Sequence, residues 1–146
     1  MKFVAGETFA REQFFPSGEP NLSVTAVRYG AAQVLQVKGE VDATSAWRID
    51  GAVMGVLPAQ VSRGPVIVDL SDVSFFSAAG ITALVTAKKM CDGLTDLRIV
   101  AASPLVMRLL EATALSGELT VYPTLDRALA ASLLLQPHIV VLSAPS

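Results

Sequence analysis

The chain has 146 residues, of which 52% are hydrophobic and 16% charged, with a net charge of −2. That is enough apolar material for one packed domain and too little charge for a disordered chain. Its 11 Lys and Arg are scattered, which argues against nucleic-acid binding, and a lone Cys91 and a lone His138 exclude an intrachain disulfide and disfavour a thiolate metal cluster or a His-based triad.

Residues 1–20 read as an arm. Glu7 and Glu12 interrupt any signal-peptide core, and Pro16, Gly18 and Pro20 break periodicity. Phe9, Phe14 and Phe15 are left to pack on this chain or on a neighbour. No run of ~18 apolar residues exists, so no membrane span is expected and a soluble, cytoplasmic protein is the default. Leu22, Val24 and Ala26 alternate with polar neighbours, and the pattern slips near Val27 and Tyr29, which reads as a strand with a bulge ended by Gly30. Val34, Leu35, Val37 and Val41 mark a second strand, close enough to form a hairpin. Residues 43–61 read as a helix capped by Thr44, burying Ile49, Val53, Val56 and Leu57, with Trp47 half-buried and Pro58 ending or kinking it. Gly51 and Gly55 weaken that helix by about 1 kcal/mol each unless another backbone packs against them.

The β-branched run Val66–Leu70, bounded by Gly64 and Pro65, predicts a central strand buried on both faces. Asp69 and Asp72 flank its end. Paired carboxylates suit acid–base work or Mg²⁺, but Ser71–Asp72 reads more simply as turn chemistry, and no metal site or cofactor is expected. A helix follows from Ser77, with Ile81, Leu84, Val85, Ala87 and Cys91 on a broad apolar arc and Thr82, Thr86 and Lys89 on the opposite stripe. Lys88 falls inside the apolar arc, where its stem can snorkel, and Gly93 closes the helix. Residues 96–102 predict a strand, and Ser103–Pro104 a cap and first position of a helix closed by Gly117. Leu119–Pro123 form a last strand, and Thr124 caps a last helix. In the tail, Ile139–Leu142 either add an edge strand or cover an apolar patch. The order β-β-α-β-α-β-α-β-α predicts an α/β fold: a mixed sheet of about five strands, largely covered by about four helices. The expected boundaries are an arm at 1–20, a domain at 21–135 and a tail at 136–146.

Three stretches carry a family resemblance. "VIVDLSDVSFFSAAGITALV" resembles the signature of the STAS domain, shared by anti-sigma factor antagonists and sulphate-transporter tails, with Asp69, Leu70, Ser71, Val73, Phe75 and Gly80 matching. "VKGEVDATSA" is similar to the family's Gly-Glu-Leu-Asp turn through Gly39, Glu40, Asp42 and Thr44, and "LLEATALSGELTVYPTLDRALAA" to its closing segment. The resemblance spans about Val24 to Leu135. It implies a non-enzymatic, partner-switching module: an antagonist binds an anti-sigma factor of kinase fold and frees a sigma factor, until the kinase phosphorylates a serine at the start of the signature helix.

With Gly80 aligned on the family glycine, Ala79 stands where the phosphoacceptor serine is usual, Ala78 in the preceding hydroxyl position and Ser77 in that of the aspartate. An alanine cannot be phosphorylated. Three readings remain open: an antagonist locked in its binding form, a switch moved to Ser77, Ser74 or Thr82, or a domain turned scaffold, small-ligand sensor (for a nucleotide or lipid) or homo-oligomer. Ser77 also reads as a helix cap, and Asp42 as either a partner contact or a cap. The expected partner surface combines Asp42, Ser77, Ala78, Ala79, Gly80, Thr82, Thr86 and Lys89. Trp47 is core or, alternatively, a partner anchor.

Overall fold

The computed structural model describes residues 9–14, 21–112 and 119–134. Strands β1 (Phe9–Phe14), β2 (Leu22–Tyr29), β3 (Ala32–Val41), β4 (Val66–Phe76), β5 (Leu97–Val100) and β6 (Val121–Tyr122) lie side by side in chain order in one sheet. Helices α1 (Trp47–Gln60), α2 (Ala78–Cys91), α3 (Pro104–Ala112) and α4 (Leu125–Leu134) join or follow the later strands. β2 runs antiparallel to both of its neighbours, β1 and β3; β3 to β6 are parallel, as strand–helix–strand alternation requires. The expected mixed α/β sheet is present, with one strand more. That strand, β1, lies in the segment read as an arm: its FAREQF carries no clean two-residue alternation, and it pairs with β2 through a register shift between Phe9 and Gln13.

The two sheet faces are covered unequally. On one, Val24, Leu35, Val37, Val66, Val68, Leu70 and Ile99 pack with Ile49 and Val53 of α1, Ile81 and Leu84 of α2, and Val106 and Leu110 of α3. On the other, among the described residues, Ala32, Val34, Ile67, Val100 and Tyr122 form a smaller cluster with Ala128 of α4. Each fully buried Leu or Ile contributes roughly 1.5–3 kcal/mol, so among the described residues the three-helix face carries most of the apolar stabilisation. Buried polar groups tie the layers together. Gln60 Nε2 donates to the Ala31 carbonyl at 2.8 Å, and Arg98 Nη1 to the Ala128 carbonyl at 2.7 Å.

Several local expectations hold. Ser103 Oγ accepts from the Leu105 N–H at 3.2 Å, and Thr124 Oγ1 from the Arg127 N–H at 3.1 Å. Gly93 follows α2 with φ +81°. Half-buried Lys88 carries its ammonium out to Asp92 at 2.7 Å. Other expectations are corrected. The β2–β3 register is continuous, so β2 has no bulge; Val27 pairs with Val34 and Tyr29 with Ala32, partners that both belong to the cluster on the α4 side. α1 starts three residues after Thr44, and Pro58 sits inside its last turn, where the helix continues two more residues. Gly117, His138 and Ile139–Leu142 lie outside the described residues. Among the described residues no helix is long and apolar enough to cross a membrane.

Candidate functional site

β4 does not stop at Leu70. It runs eleven residues to Phe76, past Asp69, Ser71, Asp72 and Ser74. Its pairing with β3 steps from Gln36↔Asp69 to Lys38↔Asp72, and from Gly39↔Val73 to Glu40↔Phe75. Each step inserts one extra residue in β4, so the strand carries two bulges. At the first, Asp69 Oδ1 accepts from the Ser71 N–H at 3.0 Å and the Ser71 hydroxyl at 2.6 Å. The turn chemistry read at Ser71–Asp72 is thus spent on a bulge within a strand. At the second, Gly39 adopts φ +117°, a conformation that strains any side-chain-bearing residue.

The bulges bring Val41 opposite Phe76, at the carboxyl ends of two adjacent parallel strands. The Ser77 N–H donates to the Val41 carbonyl at 3.0 Å, and Ser77 Oγ accepts from the Ala79 N–H at 3.2 Å. Ser77 is therefore the cap of α2. Ala78 is exposed and Ala79 half-buried; Gly80 is buried, and a Cβ there would lie 2.6 Å from the Phe76 ring and 3.0 Å from Val41 Cγ1. Glycine is what lets α2 sit this tightly on the strand ends. The first turn of α2 carries no acid. Thr82, Thr86 and Lys89 are all exposed, on one stripe that reaches about 18 Å from Ser77 at 1.5 Å per residue. The hydroxyls of Ser74 and Thr82 are exposed and donate to the Gly39 carbonyl at 3.3 Å and the Ala78 carbonyl at 3.4 Å.

The other half of the site is the turn after β3. Asp42 Oδ1 accepts from the Thr44 N–H at 2.9 Å, the Thr44 hydroxyl at 2.8 Å and the Ser45 N–H at 3.1 Å. These bonds, led by the Thr44 hydroxyl, hold the Asp42 carboxyl below the usual carboxylate range. The Ser45 hydroxyl accepts from the Asp42 N–H at 3.0 Å and lies 2.9 Å from the Glu40 carbonyl. Thr44 is not the cap of α1. Ala46 occupies that position without a side-chain bond, and the Thr44 hydroxyl is turned back to donate to Asp42.

The structure brings Asp42 and Ser77 to one edge through the Val41–Phe76 pairing, with the Thr82–Thr86–Lys89 stripe leading away from it. Trp47 is not half-buried core: it is 58% exposed, and its Nε1 donates to the Thr44 carbonyl at 3.0 Å. Its neighbour Arg48 is instead the buried residue, with Nη1 donating to the Leu22 carbonyl at 2.6 Å. A signal for this lay in the spacing. Trp47 lies two positions before Ile49, about 200° around a helix, which places it opposite the Ile49–Val53–Val56 face. Phe75, 47% exposed, was likewise open to reading, since adjacent strand residues face opposite sides and Phe76 points to the core.

The STAS domain pattern matches residues 23–128. Rv2638 of Mycobacterium tuberculosis, provisionally named an anti-anti-sigma factor, is 36% identical over 120 residues, covering 77% of this chain and 78% of its own. The crystal structure of an anti-sigma factor antagonist from Mycobacterium paratuberculosis superposes with a TM-score of 0.70 at 28% identity, covering 78% of this chain and 97% of that one. The unphosphorylated anti-sigma factor antagonist SpoIIAA shares the fold at a TM-score of 0.54 and 14% identity, over 82% of this chain and 93% of its own. A sheet with two bulges and a capped helix at its carboxyl edge, the sequence pattern and these relatives agree: the chain belongs to the STAS domain family.

Proposed function

We propose that the protein is a non-enzymatic, cytoplasmic anti-sigma factor antagonist that binds an anti-sigma factor of kinase fold and so controls sigma factor availability. The observation that supports this most is the Val41–Phe76 juxtaposition, which sets the Asp42 turn beside the start of α2 and continues into the exposed Thr82, Thr86 and Lys89 stripe. The relatives named as antagonists point the same way. The binding surface comprises Asp42, Ser77, Ala78, Ala79, Thr82, Thr86 and Lys89; Gly80, expected on it, is buried and instead supports it by letting α2 sit against Phe76 and Val41.

The start of α2 is a poor phosphoacceptor. Ala78 and Ala79 offer no oxygen, and the Ser77 hydroxyl is engaged as the cap. A phosphate placed on a packed interface would disrupt it through added charge and desolvation; without an acceptor there, the antagonist stays in its binding form. Control then falls to expression or to the partner. The test is binding to the host's anti-sigma factors by calorimetry. Asp42→Arg and Thr82→Glu are expected to weaken binding at least tenfold with the fold intact by circular dichroism. Native-strength binding of both variants moves the interface elsewhere, and no binding by the wild-type chain overturns the reading.

A further inference from the structure

We propose that Trp47 is the anchor of the partner interface, a ring set in advance by the Asp42 turn and received by an apolar pocket bordered by cationic side chains. The proposal rests on the antagonist reading and specifies the surface the partner presents. Trp47 is the chain's only tryptophan and is 58% exposed at the strand-end edge. A tryptophan exposed at such a site has the residue type of an interface hot spot.

The ring is already oriented. Its Nε1–H donates to the Thr44 carbonyl at 3.0 Å, while Asp42 Oδ1 holds the Thr44 N–H and hydroxyl at 2.9 and 2.8 Å. One ring edge lies along α1 above Gly51, where a Cβ would sit 3.9 Å from Trp47 Cε3. A side chain held this way loses little freedom on binding. Asp42 is thus a positioning residue that acts through Thr44.

Charge selects the occupant. The ends of β3 and β4 present Glu40, Asp42 and Asp72, all exposed or half-exposed. The nearby cations offset them only in part: Lys38 is the register partner of Asp72, and Arg48 is buried on the Leu22 carbonyl. Among the described residues, neither of the two ion pairs, Lys88–Asp92 and Arg98–Asp96, involves Glu40, Asp42 or Asp72. An edge with an acidic excess steers a cationic surface toward it and disfavours an acidic one.

The test uses the full chain labelled with 5-fluorotryptophan, which carries a single ¹⁹F resonance, titrated with an unlabelled anti-sigma factor of the host and paired with calorimetry. The resonance is expected to shift and lose its H₂O/D₂O sensitivity at saturation, and the association rate to fall as salt is raised. Trp47→Ala should weaken the Kd about 30-fold or more with Tm unchanged, and Trp47→Phe by less. Asp42→Ala should weaken it more than Asp42→Asn, which keeps an acceptor for Thr44. A complex that forms with an unchanged resonance and a native Kd for Trp47→Ala overturns the anchor and leaves the antagonist reading standing. Failure of the wild-type chain to bind any host anti-sigma factor overturns both.

Discussion

Two helices begin side by side at the carboxyl edge of the sheet, and they begin differently. α2 follows its strand at once: Ser77 bonds to Val41 through its backbone and to Ala79 through its hydroxyl. α1 is separated from β3 by a turn in which Asp42, not the cap residue, gathers the donors. The tight start fixes α2 against Phe76 and leaves a smooth alanine surface. The looser start lifts Trp47 out of the core and puts Arg48 into it. The difference shows how one edge can combine a rigid platform with a projecting side chain.

The comparison breaks most sharply at Gly80. Gly80→Val forces a branched side chain into the Phe76 ring and Val41, and should cost about 3 kcal/mol by chemical denaturation. A native denaturation midpoint would mean that α2 does not sit this close to the strand ends. Asp42→Ala, which dissolves the turn before α1, should lower Tm by less. Because folding depresses the Asp42 carboxyl, its contribution is present in full above the ordinary carboxylate range and is lost as pH falls through the depressed value. The Tm gap between wild type and Asp42→Ala should therefore be constant near neutrality and close in strong acid. Ser77→Ala removes one cap bond and should cost about 1 kcal/mol; a larger loss would mean that Ser77 does more than cap.

The mildest test leaves stability untouched. Cys91 lies fully buried at the far end of α2, and burial, with Asp92 adding to it, pushes its thiol up to about 11. Iodoacetamide at pH 8 should label it only after denaturation, which makes it a reporter of whether α2 frays from that end. Above pH 9 the unfolded chain ionises first, so stability should fall as pH rises toward about 11.

What the sequence disclosed follows from how local each signal is. The caps at Ser77, Ser103 and Thr124 and the run Val66–Leu70 depend on neighbours in the chain and were legible. The extension of β4 to Phe76 was not, because Asp69, Ser71 and Ser74 carry turn chemistry that tertiary pairing with β3 turns into bulges. The start of α1 was misplaced because Thr44 is a good cap by type, yet its hydroxyl and N–H both donate back to the Asp42 carboxylate two residues earlier. The buried Arg48 depends on the Leu22 carbonyl, 26 residues away, which no local pattern announces. The candidate stripe Thr82, Thr86 and Lys89 was legible because helical spacing alone places it.

The central claim, a binder without a covalent switch at the start of α2, is tested most directly by incubating the protein with the host's anti-sigma kinases and ATP. Intact mass with site mapping and complex formation are then followed together. The account predicts an unchanged mass and a complex that persists under conditions that phosphorylate and release a serine-bearing relative. A phosphate on Ser77, Ser74 or Thr82, with release of the partner, would contradict it and show that the switch has moved by a few residues.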